Sequence, residues 1–380
     1  MENKKVAGSK ISSIIALMLT ASSVAMGAGG GAKQDSWIAM IFATGAALLL
    51  AWLYSAILRL HPGKNMFDIL VEMFGKTGGK IVCGLYAAYA IYLGARIFAI
   101  YDNFIRIVNL DSTPIAAILL VSVPLIAGSV KCGLKTVGSC AKFVLVVVSL
   151  LTVITLVLGL RYMDFGNIKP ILATGPKGML VTTMSYMTLP LGETVLCMSF
   201  FGEIDKKESP FKILSKGILF GGLLLTAIIL RNILLLGAPT CQLFLFTSYD
   251  AVGIISVGDF VTRISVVTGV ELTLTAVAKL CVFVYTATQG VSKVLGLKKF
   301  LQPAAPCCAL MAALSLTLYT NVLTEVSFEK YVSLIDVPFQ IILPIVVLIV
   351  GKIRLGKQKK GAAKKAAPAA PPVAERVESD

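Results

Sequence analysis

Long apolar runs separated by short polar stretches make up most of the 380-residue chain. A helix needs about 20 residues to cross the hydrocarbon core of a membrane, and each run is near that length. Ten runs can be drawn, near residues 11–32, 36–59, 80–109, 113–130, 140–160, 180–200, 212–237, 262–290, 303–321 and 337–353. The pattern predicts an all-α integral membrane protein with ten transmembrane helices.

The composition supports the same class of protein. Hydrophobic residues make up 57% of the chain and charged residues only 14%, whereas soluble domains carry about 25% charged residues. We expect a short cytoplasmic N-terminal tail at 1–10 and a membrane domain at 11–355. The Ala-, Lys- and Pro-rich segment 356–380 has a composition typical of disorder, and we predict a disordered cytoplasmic tail there.

The positive charges are distributed unevenly between the two sides of the predicted bundle. Of the 35 Lys and Arg residues, about 25 lie in the N-terminal tail, the even-to-odd loops and the C-terminal tail, about 6 lie in the other loops, and 4 lie within spans. The charge-rich side is the cytoplasmic one. Both termini are therefore predicted to be cytoplasmic, and the loop at 238–261 to be outside. We interpret the net charge of +15 as a determinant of orientation, with the basic loops in contact with anionic lipid. It does not indicate a nucleic-acid-binding surface.

The first apolar run also resembles a signal peptide, because a basic start precedes an apolar core and small residues. Its removal would leave nine spans and break the alternation of loop charge, so we interpret it as the first membrane helix. Small polar residues, Ala21, Ser22 and Ser23, lie in its middle, and glycines from Gly27 follow. The stretch Ala21–Ser23 predicts an interruption of this helix, with Gly27-Ala28-Gly29 as the alternative position.

The sixth run is interrupted as well, by the sequence "TLPLGE" at 188–193. Pro190 removes a backbone donor and clashes with the preceding turn. Glu193 places a carboxyl near the middle of the membrane, which is costly unless it is paired or protonated. A simple proline kink is the alternative, but Pro, Gly and Glu within four residues is more than a kink requires.

Runs one and six occupy matching positions in two five-run halves, 11–160 and 180–353. Paired interrupted helices of this kind indicate a ligand site at the midplane. An odd number of runs per half predicts a five-plus-five inverted repeat, the arrangement of the amino acid–polyamine–organocation transporters. The lining is small and apolar, with backbone donors near half-helix N-termini, which suits a small zwitterion such as an amino acid. The predicted ligand-binding residues are Ala21, Ser22, Ser23, Gly27, Tyr92, Leu191, Gly192, Glu193, Thr275 and Lys279.

Four basic residues fall within spans: Arg96, Arg106, Arg231 and Lys279. Arg106 and Arg231 stand towards helix ends, where they can reach water, and Arg96 is predicted to make a structural pair with a polar neighbour. Lys279 is the deepest, and its ammonium either stands in for a bound cation at the first interruption or forms an ion pair with Glu193 or Glu271. Both alternatives stay open at the level of sequence.

No constellation of catalytic residues is found, so the chain is not predicted to be an enzyme. His61 is the single histidine, no Cys-x-x-Cys occurs, and the eight cysteines mostly fall in apolar runs. No metal site or cofactor is predicted. The stretch "GAGGGA" lacks the strand that precedes a dinucleotide-binding loop.

Several stretches, in this order and spacing, resemble the membrane-embedded B subunit of GerA-type spore germinant receptors, the spore germination permease family. They are "KQDSWIA" at 33–39, "HPGKNMFDILVEMFGKTGGKIVCGLYAAY" at 61–89, "LDSTP" at 110–114, "NIKPIL" at 167–172, "GPKG" at 175–178, "LPLGE" at 189–193, "GDFVTRI" at 258–264 and "ATQGVSKVLGLKKF" at 287–300. The resemblance implies a sensor of a small nutrient, often an amino acid, in the inner membrane of a bacterial endospore. It also implies an A-type subunit and a lipoprotein C-type subunit as partners. The family's acidic residue two positions after Arg263 is absent here, and Glu271 is a possible replacement.

Three functions fit these observations: a ligand-sensing receptor subunit that triggers germination, a secondary transporter of amino acids or amines, and a conduit that a receptor assembly opens. The fold alone does not separate them, because function depends on the site and its coupling.

Overall fold

The structure is a computed structural model of the chain, and it describes residues 5–25, 31–108, 113–255, 264–318 and 332–366. Within these ranges the chain is helical, and no strand is formed apart from one isolated bridge between Val6 and Ile204. The predicted all-α character is therefore confirmed. Gly27 and Arg263 lie outside the described residues.

The helices of the first half follow the apolar runs closely. They are α1 (Gly8–Thr20), α2 (Ser36–Leu60), α3 (Met66–Val108), α4 (Ile115–Lys131) and α5 (Leu134–Gly159). In α3 the backbone is non-helical at Gly75, where φ is 77°, so a short first helix meets the membrane-spanning part at a kink. Gly tolerates this conformation because it has no Cβ.

The helices of the second half are α6 (Gly175–Thr188), α7 (Pro210–Leu236), α8 (Ala238–Cys241), α9 (Thr247–Gly253), α10 (Ser265–Leu295), α11 (Ala304–Leu318) and α12 (Leu343–Ala366). Two 3₁₀ segments, Ala21–Ala25 and Leu191–Glu203, continue α1 and α6. Residues 332–337 are helical and lead through a π-helical turn, Pro338–Ile342, into α12. We call residues 332–366 the last helical segment. It continues into the tail for which we predicted disorder, up to Ala366, because Ala and Lys are strong helix formers.

Six of the described helical segments are long and apolar enough to cross a membrane, and α4 and α11 are shorter apolar helices. Runs one and six fall below that length because each is interrupted. The count of ten spans therefore stays a prediction.

Loops that the charge pattern places on one side meet at one end of the molecule. Val6 donates its backbone N–H to the Glu203 carbonyl (2.9 Å), and the Lys10 ammonium donates to the Ser139 hydroxyl (2.6 Å). The Arg354 guanidinium donates to the Glu72 carbonyl at the same end (2.8 Å). Val6 and Arg354 thus both contact loops of the side that the charge pattern predicts to be cytoplasmic.

The opposite end joins the loops predicted to be outside. Asp35 accepts hydrogen bonds from the Leu172 backbone N–H and the Thr174 hydroxyl, both at 2.8 Å. Asp164 donates its backbone N–H to the Leu234 carbonyl (2.9 Å). The two loop sets therefore separate as predicted, while the direction of the chain across the membrane stays a prediction.

Helix α1 lies at the centre of the bundle. It packs against α5, α7 and α10, and Ile11–Ala21 is buried along its whole length. By contrast, α5 exposes one apolar face, which carries Phe143, Val146, Leu150 and Val157. Exposed apolar side chains at three- and four-residue spacing are typical of a lipid-facing helix.

Candidate functional site

The first interruption lies where we preferred to place it. Helix α1 ends at Thr20, and Ala21–Ala25 forms a 3₁₀ segment. The Thr20 hydroxyl donates to the Leu17 carbonyl (2.8 Å), and Ser and Thr side chains of this kind compete with the helix ladder. The small residues therefore end the regular α-helix inside the bundle.

The second interruption follows the proline. Helix α6 ends at Thr188, and Leu189 is extended (φ −131°, ψ 110°), because the ring of a following proline disfavours the helical region. The 3₁₀ segment Leu191–Glu203 then runs for 13 residues, although such segments seldom exceed about four. The interruptions predicted in apolar runs one and six are thus both present.

One side chain of α10 connects the two interruptions. The Lys279 ammonium lies 2.6 Å from the Glu193 carboxylate and donates to the Ser22 hydroxyl at 2.7 Å. Lys279 is 0% exposed and Glu193 1% exposed. Of the two partners considered for Lys279, Glu193 is the one it contacts. The contact with Ser22 means that the ammonium also reaches the first interruption, so both predicted roles keep geometric support.

Two further charges act on this pair. Arg96 and Asp336 both interact electrostatically with Lys279. Arg96 is buried, and its guanidinium lies 5.9 Å from the centre of the Tyr92 ring. The buried cluster therefore contains two cations and two carboxylates from α3, α10, the second interruption and the last helical segment.

The last helical segment forms a wall of the site that the sequence interpretation missed. Gln340, in the π-helical turn, donates through Nε2 to the Tyr89 hydroxyl and to the Thr188 carbonyl, both at 2.9 Å. The Tyr54 hydroxyl donates to the Gln340 carbonyl (2.8 Å). Thr188 is the last residue of α6, so Gln340 satisfies a carbonyl that the interruption leaves without a helical partner. Asp336 directly before the tenth apolar run, with Pro338 and Gln340 inside it, was the signal that could have identified this wall.

Gly192 lies at a position where a side chain would have no room. A Cβ at this position would lie 2.0 Å from Oε1 of Gln340 and 3.0 Å from the Met187 carbonyl. The space beside Gly192 is thus filled by the Gln340 amide.

The remaining predicted site residues lie at the periphery of this cluster or in the core. Leu191 is fully buried, Tyr92 is half-buried, and the Thr275 hydroxyl donates to the Glu271 and Leu272 carbonyls of its own helix (both 3.0 Å). Ala21 is buried beside Ser22.

A second polar network contacts the first interruption from the predicted outer side. The Arg231 guanidinium donates to the Thr155 hydroxyl (2.7 Å) and to Asn232, whose amide donates to the Ser248 hydroxyl (2.9 Å). The Ser248 hydroxyl donates to the Ser23 carbonyl (2.5 Å). Arg231 is 1% exposed, so the expectation that it reaches water is wrong: polar partners on α5 and α7 compensate its burial.

Glu271 belongs to this second network and not to the Lys279 pair. Its carboxylate accepts from the Thr152 hydroxyl (2.8 Å) and acts electrostatically on Arg231. Arg263, which precedes the position of the family's acidic residue, lies outside the described residues, so the replacement of that residue by Glu271 stays a prediction. Within the described part of the chain, no group of His, Cys, Asp and Glu side chains is placed to bind a metal ion.

An all-helical membrane bundle with two interrupted helices that meet at a buried charge cluster defines a protein of transporter fold. The structure is similar over 91% of the chain to Mhp1, a nucleobase-cation-symport-1 family transporter solved in a closed conformation with bromovinylhydantoin bound (TM-score 0.65, 12% identity, 78% of that chain). It is also similar over 88% of the chain to MhsT in complex with L-phenylalanine (TM-score 0.57, 12% identity, 87% of that chain). The predicted interrupted-helix fold class is confirmed.

The chain belongs to the spore permease family, whose model, described as spore germination protein, matches residues 5–323. It is 25% identical to spore germination protein KB of Bacillus subtilis (strain 168) over 373 residues, covering 96% of this chain and 100% of that relative. It is 26% identical to spore germination protein A2 of the same strain over 274 residues, covering 69% of this chain and 72% of the relative. The resemblance noted from the motifs is thus confirmed.

Proposed function

We propose that this protein is the membrane-embedded subunit of a spore germinant receptor, and that it binds a small nutrient, an amino acid, at the midplane and triggers germination. The observation that carries the proposal is the contact of Lys279 with both Glu193 and Ser22. A single ammonium joins two interrupted helices, so a ligand that enters between them must change a contact that both share. Such a change is a means of converting binding into a shift between two conformations.

The protein acts, on this proposal, without catalysis or a cofactor, in the inner membrane of the endospore with both termini in the cytoplasm. An A-type subunit and a lipoprotein C-type subunit complete the receptor. The charge cluster is sealed from solvent, since Lys279, Glu193 and Asp336 are almost completely buried. Ligand entry therefore requires an opening movement. Partner subunits in contact with the moving helices can respond to that change in conformation.

A secondary amino acid transporter is the second candidate, favoured by the transporter fold of the similar solved structures. Two measurements separate the functions. Spores that lack the chain are complemented with wild-type protein, with Lys279→Met, or with Lys212→Met as a control at an exposed lysine. The purified chain is separately tested in liposomes for uptake of radiolabelled amino acids.

The receptor proposal expects that complementation restores germination by an amino acid, that Lys279→Met does not, and that Lys212→Met does. It also expects no sustained uptake by the chain alone. Rapid amino acid uptake without partner subunits would support the transporter instead. Germination that is independent of the chain for every amino acid tested would overturn the receptor proposal.

A further inference from the structure

Asp336 presents a buried carboxylate oxygen without a donor. Its Oδ1 accepts a hydrogen bond from the Tyr89 hydroxyl (3.0 Å), and its Oδ2 has no hydrogen-bond partner among the described residues. The side chain is 0% exposed. A carboxylate oxygen that has no hydrogen-bond donor inside a membrane protein costs free energy. Acidic residues within membrane spans therefore usually pair with a cation or another polar group.

The protein's own cations do not fill this position. The Lys279 ammonium contacts Glu193 and Ser22 instead. In the part of the chain that the structure describes, no Lys, Arg or His nitrogen lies within salt-bridge distance of Asp336. Arg96 interacts with it electrostatically. The cluster therefore has a carboxylate oxygen that can accept from an additional donor.

The surroundings indicate which kind of donor fits. Asp336 lies within electrostatic range of Glu193, so two carboxylates of the cluster attract positive charge at this wall. The ring of Phe339 stacks on that of Tyr89, with 4.4 Å between the ring centroids, and the Tyr89 hydroxyl is the group that donates to Asp336. A compact group with several N–H donors matches a confined site with an unpartnered anionic oxygen, and a primary ammonium is such a group.

We propose that Asp336 is the group of the midplane site that binds the ammonium of the proposed amino acid ligand. The inference rests on the proposed function in that it assumes a nutrient enters this cluster. A zwitterion adds no net charge to two buried cations and two carboxylates. A simple anion would add a net negative charge to this cluster, and an uncharged solute would leave Oδ2 without a charged partner.

The test uses the purified full-length chain in lipid nanodiscs and measures the binding of twenty L-amino acids and of their des-amino carboxylic acids by calorimetry. We expect at least one amino acid to bind and its des-amino counterpart to bind at least tenfold more weakly. Asp336→Asn should lose at least tenfold in affinity for that amino acid, whereas Asp336→Glu, which keeps the charge, should lose less. The matched control is Asp102→Asn, a buried carboxylate on α3 that interacts with Arg106 and does not act on Lys279.

Several results would overturn the inference. Equal affinity in Asp336→Asn would mean that the carboxylate charge is not used, as would a des-amino acid that binds as tightly as its parent. An equal loss in Asp102→Asn would indicate a general effect of removing a buried charge. If Asp336→Asn does not fold, Asp336→Glu decides: weaker binding of the amino acid with unchanged binding of its des-amino acid supports the proposal, and unchanged binding of both contradicts it.

The outcome is independent of the germination test. If no amino acid binds while complemented spores still respond to a nutrient without an amine, the ammonium site is wrong, and the receptor role stands with a different nutrient. If an amino acid binds through Asp336 but the chain has no effect on germination, the receptor proposal fails and the ammonium site stands.

Discussion

At the scale of single residues, Lys279 and Glu193 compensate each other's burial. Removal of one partner leaves the other charged and without its counterion, which for buried pairs costs about 3–5 kcal/mol. Their 2.6 Å contact therefore makes each residue's effect depend on the other.

We predict that Lys279→Met lowers the thermal midpoint of the purified protein and that the addition of Glu193→Gln restores it. Glu271→Gln should not restore it, because Glu271 contacts Thr152 and not Lys279. The double-mutant cycle is measured on stability and on germination. If Glu193→Gln restores both, Lys279 is only an ion-pair partner; if it restores stability alone, the ammonium has a separate role at the first interruption.

A second prediction concerns Gly192. The Gln340 amide cannot move away easily, because it donates to Tyr89 and to the Thr188 carbonyl. Gly192→Ala should therefore destabilise the protein by about 1–3 kcal/mol, as overpacking does, and abolish the nutrient response. Gly128→Ala in α4 is the control, since nothing lies within 4 Å of its Cβ position. A Gly192→Ala variant with wild-type stability and response would show that the contact with Gln340 is unimportant.

At the scale of elements, the first interruption accepts hydrogen bonds from two other helices. Ser22 receives a hydrogen bond from Lys279 of α10, and the Ser23 carbonyl receives one from Ser248 of α9. The short helix α9 is connected through Ser248 and Asn232 to α7. The interruption is thus stabilised by elements distant in sequence and not by its own residues.

We predict that Ser248→Ala increases local opening at Ala21–Ala25. The Ser23 carbonyl would lose its donor, and an unsatisfied buried group costs about 1–3 kcal/mol. Hydrogen–deuterium exchange of that segment should become faster, while Ser122→Ala, which removes only a bond to the Ile118 carbonyl within α4, should leave it unchanged. Identical exchange in Ser248→Ala and wild type would mean that α9 does not stabilise the interruption.

At the scale of the whole molecule, the loops divide between two ends, and loop charge predicts which end is cytoplasmic. Leu243 is 84% exposed in the segment between α8 and α9, at the predicted outer end. Cys132 is an exposed native thiol between α4 and α5, at the predicted cytoplasmic end. The two positions form a matched pair for measuring orientation.

We predict that a membrane-impermeant maleimide labels Leu243→Cys in intact cells and labels Cys132 only after permeabilisation. A Leu243→Cys, Cys132→Ser double variant separates the two signals. Labelling of Cys132 in intact cells together with protection of Leu243→Cys would reverse the orientation.

The sequence by itself determined the helical membrane class, the positions of the apolar helices and both interruptions. These features depend on local properties: the length of an apolar run, the small polar stretch at Ala21–Ser23, and the effect of Pro190 on its own backbone. The loops rich in Lys and Arg lie at one end for a similar reason, because every second loop of a membrane-spanning bundle returns to the same side.

Only the tertiary structure decided which groups meet inside the bundle. Lys279 had two candidate carboxylates in the sequence, and packing of α10 against the second interruption selected Glu193. Arg231 stands near a helix end in the sequence, yet its guanidinium is buried against Thr155 of α5, which lies 76 residues away along the chain. Gln340 and Asp336 reach the site across about 150 residues of chain. Apolar periodicity specifies which face of a helix is buried, but the pairing of polar groups depends on how the helices are rotated and stacked, and only the folded bundle defines that.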